Sequence, residues 1–69
     1  MTIEGEIENL NPRGFGFIAA QDGLEYYFHA NAVMGRRFNE LENGQAVLFR
    51  VGEYSTGKQP SAYDVRALG

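Results

Sequence analysis

Arg13-Gly14-Phe15-Gly16-Phe17-Ile18 and, a short turn later, Tyr26-Tyr27-Phe28-His29 read as two neighbouring strands of a sheet. Successive side chains of a strand point to opposite faces, so Phe15 and Phe17 share one face while Gly16 and Ile18 take the other. By the same rule Tyr26 and Phe28 point one way, and Tyr27 and His29 the other. Antiparallel pairing then puts Phe15, Phe17, Tyr27 and His29 on an outer face. Ile7, Ile18, Tyr26 and Phe28 fall on a core face, and a one-residue slip would exchange the two sets. The glycines beside the aromatics are expected to remove bulk so that flat partners can approach, with Arg13 at hand for a phosphate. A stacking surface with a flanking cation suits unpaired bases better than a duplex groove.

The rest of the chain also alternates. Ile3 to Leu10 carries Ile3, Gly5 and Ile7 on one side and Glu4, Glu6 and Glu8 on the other, a strand with one wet face. Asn11-Pro12-Arg13-Gly14 and Gln21-Asp22-Gly23 are turns. Ala30 to Val33 is expected to form one short helical turn, and Met34 to Gly44 a long charged connection carrying Arg36, Arg37 and Phe38. Gln45 to Tyr54 reads as a strand with Val47, Phe49 and Val51 on one face. Ser55 to Pro60 is a hairpin loop, and Ser61 to Ala67 a last strand with Val65 inward. Five short strands with turns every roughly 8–12 residues predict an all-β fold, a small antiparallel barrel.

Composition bounds the chemistry. A chain of 69 residues is expected to be one domain, residues 1–69, with a modest core. Without cysteine it has no disulfide or thiolate metal site, and His29, its one histidine, cannot make a His-rich site. No metal or cofactor is therefore expected. No apolar run approaches the roughly 18 residues of a membrane helix, and the N-terminus Met1-Thr2-Ile3-Glu4-Gly5 does not resemble a targeting segment. A cytoplasmic protein is the expectation. The net charge of −3 argues mildly against phosphate binding, although the local field at the binding face matters more.

These motifs resemble the cold-shock domain family over nearly the whole chain, Gly5 to Val65. The family's Lys-Gly-Phe-Gly-Phe-Ile stands here as Arg13 to Ile18, and its Val-Phe-Val-His as Tyr26 to His29. Asp22-Gly23 matches the turn between them, Gly44 to Phe49 the entry to the fourth strand, and Phe38 an aromatic of the long loop. The first strand departs from the family's Gly-Lys-Val-Lys-Trp-Phe-Asn. Two cations become Glu6 and Glu8, the stacking tryptophan becomes Asn9, and a phenylalanine becomes Leu10; Ala30 replaces an aromatic after the histidine. The resemblance implies a five-stranded oligonucleotide-binding (OB-fold) barrel that binds single-stranded RNA or DNA and acts as an RNA chaperone.

On both grounds the expected nucleic-acid-binding residues are Arg13, Phe15, Phe17, Tyr27, His29, Phe38, Lys58 and Arg37. The bland alternatives are core packing for the rings, a structural role for His29, and a solvated loop for Arg36 and Arg37. Ile18 already fills the opposite parity, which favours the outer face for Phe15 and Phe17. Glu4, Glu6 and Glu8 alternate on an exposed strand as ordinary solubility chemistry, and no enzyme is expected. Gly52 to Lys58 spells G-x-x-x-x-G-K, but Gln59 stands where Ser or Thr would hold magnesium and Pro60 blocks a following helix, so the match is fortuitous. The rival reading is a protein-interaction barrel that has lost affinity for nucleic acid, or the first domain of a longer protein. A monomer is favoured over an oligomer.

Overall fold

Five strands form where the alternation runs: β1 (Thr2–Asn11), β2 (Phe15–Ala20), β3 (Glu25–His29), β4 (Ala46–Val51) and β5 (Ala62–Ala67). The computed structural model describes residues 2–52 and 60–68. All four ladder pairings are antiparallel, in the order β3-β2-β1-β4-β5. The sheet curls until its edges meet: the Tyr27 N–H donates to the Pro60 carbonyl at 3.0 Å, and Tyr27 bridges Ser61 in parallel. Closure satisfies edge groups that an open sheet would leave unpaired. The result is the small five-stranded barrel expected.

The long β1 pairs with β2 and β4 at once, and Gly5 faces Ala20 on one side and Val47 on the other. A Cβ there would lie 2.6 Å from Ile18 Cγ2 and 2.8 Å from the Ala19 carbonyl oxygen, so the crossing has no room for a side chain.

The interior is filled by Ile7, Ile18, Tyr26, Phe28, Val47, Phe49 and Val65, all buried and all on the parity that alternation assigns to the core; Val51 is half-buried against them. Two further members, Leu41 and Ala62, escape the alternation. Leu41 follows a 3-10 turn, Phe38–Glu40, inside the connection that reads as charged loop. That turn lays the half-buried Phe38 against Phe28, with ring centroids 6.0 Å apart. The short turn expected after His29 is a 3-10 turn, Ala30–Ala32.

Two irregularities keep the core continuous where a strict two-residue period would break it. Register shifts between Ile7 and Asn9 on β1, so Glu8 is an extra residue without an opposite number. Ile7 and Leu10 can then both turn toward the core although they are three apart. On β5, two residues, Asp64 and Val65, oppose Phe49 alone, and Asp64 takes a positive φ of 52°. Ala62 and Val65 are thus both buried. Each is a β-bulge, which re-aims the side chains beyond it by half a period.

β4 ends at Val51, short of the expected Tyr54, which lies with Glu53 and the Ser55–Gln59 part of the hairpin loop outside the described residues.

Candidate nucleic-acid interface

The outer face of β1, β2 and β3 is built in rows by the ladder. One row runs Asn11, Phe15, His29; the next runs Asn9, Phe17, Tyr27; a third runs Glu6, Ala19, Glu25. The bulge at Glu8 is what brings Asn9 to this face, because unbroken alternation from Ile7 would have turned it inward.

Phe15, Phe17 and Tyr27 come together here as a mutually touching cluster. Ring centroids are 6.1 Å apart for Phe15–Phe17, 5.8 Å for Phe15–Tyr27 and 5.8 Å for Phe17–Tyr27. Phe15 and Tyr27 are tilted by only 32° and make a two-ring shelf; Phe17 stands at 87° to the first and 64° to the second. All three are half-buried. Such rings are pre-positioned to accept bases without losing much side-chain freedom on binding.

His29 is exposed, and its Nδ1 accepts the Asn31 backbone N–H at 3.3 Å, which caps the 3-10 turn and orients the ring. A largely apolar hollow continues from Tyr27 and His29 across the β3–β5 seam to Asn31, Ser61 and Tyr63. Apolar surface therefore extends past the three rings.

Arg13 is exposed in the β1–β2 turn, beside the Phe15 end of the face. Its backbone N–H donates to Asn11 Oδ1 at 2.9 Å, and Gly14 closes the turn with φ of 103° and an N–H bond to the Asn11 carbonyl at 3.0 Å. The Gly14 carbonyl in turn accepts from the Ala30 N–H at 2.8 Å, tying the turn to the end of β3. Arg37 is exposed before the Phe38 turn, where its backbone N–H donates to Glu40 Oε1 at 3.2 Å. Phe38 lies on Phe28 rather than in ring contact with the cluster, and Lys58 is outside the described residues.

Gly16 corrects the expectation drawn from the glycines. Its missing side chain makes room on the core side, not for an approaching partner: a Cβ would sit 2.8 Å from Phe28 Cε1 and 2.8 Å from the Asn9 carbonyl oxygen. Gly16 lets the Phe28 ring pass under β2.

The opposite end of the same face is acidic. Glu4, Glu6, Glu8 and Glu25 are all exposed there. A hydrogen bond with Glu25, and after it the repulsion of that carboxylate's charge, raises the Glu8 carboxyl above the ordinary glutamate range. Glu8 thus holds a proton more readily than an isolated glutamate. At the β2–β3 turn, the Tyr26 hydroxyl donates to Asp22 Oδ2 at 2.6 Å and the Leu24 N–H to Oδ1 at 2.9 Å. These bonds, the Tyr26 one first, hold the Asp22 carboxyl below its usual range. From sequence Asp22 reads as a turn residue only; the buried tyrosine four positions on, whose hydroxyl needs an acceptor, is the signal for its second role.

Among the described residues no cluster of three or more His, Cys, Asp or Glu side chains is placed to hold a metal ion. No helix among them is long and apolar enough to cross a membrane.

Comparison with known proteins agrees with this geometry. Residues 3–68 match the family model of the 'cold-shock' DNA-binding domain. The chain is 37% identical to the cold shock-like protein CspE of Bacillus anthracis over 60 residues, covering 86% of this chain and 90% of that protein. It is 39% identical to the cold shock protein CspD of Bacillus subtilis over 51 residues, 74% and 77% of the two chains. With the probable cold shock protein A of Mycolicibacterium smegmatis the identity is 40% over 57 residues, 81% and 82% of the two.

Proposed function

The chain belongs to the cold-shock domain family, and on that premise we propose that it binds single-stranded RNA or DNA by stacking bases on Phe15, Phe17 and Tyr27. The observation that carries the reading is the cluster of three touching, half-buried rings on an outer sheet face. Aromatic rings have no use in solvent, whereas every base has a face to lay on them. His29 extends the platform on one side, Phe38 offers a further ring from the long loop, and Arg13, Arg37 and Lys58 steady the backbone. Binding of this kind holds RNA unpaired by mass action with no chemical step, which is RNA chaperoning rather than enzymology. A cytoplasmic, monomeric, single-domain protein without cofactor fits this role.

Few cations serve the phosphates, so affinity should depend weakly on salt. Three contacts at about −0.7 each give a slope of about −2 in log K against log salt. Fluorescence anisotropy with a labelled heptanucleotide, single-stranded and as duplex, at two salt concentrations tests the reading. Preferential single-strand binding with that shallow slope supports it. No binding at low salt would favour the second reading, a protein-interaction barrel, to which the acidic Glu6, Glu8 and Glu25 end lends its weight.

A further inference from the structure

The row Asn9, Phe17, Tyr27 differs from its neighbours in chemistry. A ring stands at its centre, with a carboxamide on one side and a phenol on the other. Asn9 is exposed and Tyr27 half-buried. Neither the Asn9 amide nor the Tyr27 hydroxyl has a hydrogen-bond partner among the described residues. By contrast Asn11, one row along, spends its side-chain oxygen on the Arg13 N–H.

The ring angles decide what a bound base would meet. A base lying flat on Phe17 cannot also lie flat on Tyr27, whose plane is turned by 64°. It therefore presents its edge, not its face, to that neighbour, and Asn9 stands on the other side of Phe17 at cross-strand distance. Base edges are where sequence is read.

We propose that Asn9 makes the Phe17 position selective, so that the domain prefers adenine to a pyrimidine at the nucleotide stacked there. The inference rests on the single-strand reading above. A carboxamide offers one donor and one acceptor side by side, and adenine presents the complementary pair on two edges, N6–H with N7 and N6–H with N1. Thymine and cytosine present such a pair on one edge only, so adenine pairs in more of the orientations a stacked base adopts. The small Asn9 side chain also leaves lateral room for a purine. The Tyr27 hydroxyl supplies a second, weaker contact from the far side of the row.

The test uses heptathymidylate and seven variants of it, each with one adenine at a different position, titrated into the wild-type protein, Asn9→Leu and Tyr27→Phe. Leucine keeps the size of Asn9 and removes its hydrogen bonds. For the wild type, adenine at one position should tighten binding about fivefold or more over heptathymidylate. Asn9→Leu should abolish that gain, and Tyr27→Phe should reduce it in part. Equal affinity for all eight strands in the wild type, or a preference for adenine that survives Asn9→Leu, overturns the inference alone. Failure of the wild type to bind any of the eight overturns the single-strand reading and the inference with it. Circular dichroism of each variant secures that the barrel is intact.

Discussion

The two ends of the β1–β2–β3 outer face share strands, ladder and curvature, yet one is a cluster of rings and the other a cluster of carboxylates. Phe15, Phe17 and Tyr27 occupy the rows nearest the β1–β2 turn, where Arg13 is close at hand. Glu6 and Glu25 occupy the row beyond, with Ala19 between them and Glu8 bulging out nearby. A polyanion that stacks on the first end is repelled by the second, so the face has a direction and a short footprint. The bulge at Glu8 divides the two: it brings Asn9 out beside Phe17 and adds one more charge to the acidic side. What folds the barrel is common to both ends; what distinguishes them is a few outward residues.

Removing the rings should break the comparison most completely. Each stacked base contributes about 1–3 kcal/mol, so Phe15→Ala with Phe17→Ala should weaken single-strand binding by about thirtyfold or more. Retained far-ultraviolet circular dichroism would show that the loss belongs to the platform. Equal binding by this double variant would move the site off this face.

Stability should divide between the two sides of the sheet in the opposite sense. Ile18→Ala empties a fully buried position and should cost about 2–4 kcal/mol in urea unfolding followed by circular dichroism. Tyr27→Ala, on the outer side of the same pairing, should cost less than about 1 kcal/mol. If Tyr27→Ala unfolds the domain while Ile18→Ala is tolerated, the assignment of faces is reversed.

The acidic end should be adjustable. Reversing Glu6 and Glu8 to lysine changes two exposed charges near the bound strand, and affinity at low salt should rise about fivefold, an advantage that fades as salt screens it. No change at low salt would place these acids outside the reach of the strand.

The smallest expected effects are those of pH. Because Glu25 raises the Glu8 carboxyl in the folded state, that site favours folding at low pH, and its contribution is lost as pH rises through the raised value, above the ordinary glutamate range. Asp22 has the opposite sign. Its folded value is depressed, so its contribution is present above the ordinary aspartate range and lost as pH falls through the depressed value. In carboxyl-detected NMR titrations Glu25→Gln should lower the Glu8 midpoint, and Tyr26→Phe should raise that of Asp22. Unmoved midpoints would dissociate these pairs.

Much of this was legible because a strand's period is two and cannot drift. Ile7, Ile18, Tyr26, Phe28, Val47, Phe49 and Val65 fall on the inward parity and are buried. Phe15, Phe17 and Tyr27 fall on the outward one and touch. What the period could not convey is where it breaks. Glu8 and Asp64 look like ordinary polar positions, and only pairing to a partner strand makes either of them surplus. Leu41 lay hidden because one apolar residue in a charged connection has no periodic neighbour, and a 3-10 turn delivers it to the core. Phe38 sits in that same connection, so its contact with Phe28 depended on tertiary packing. Gly16 was assigned the right face but the wrong purpose, since the crowding it relieves comes from Phe28, twelve residues on.

A bound single strand should lie on the ring end of the sheet face and avoid the acidic end. The most direct measurement is a two-dimensional amide and aromatic NMR titration of the protein with an unlabelled single-stranded heptanucleotide. Large shifts are expected at Phe15, Phe17, Tyr27 and His29, a smaller one at Arg13, and near silence at Glu4, Glu6 and Glu25. Shifts of equal size at both ends of the face, or shifts concentrated at the glutamates, would contradict it.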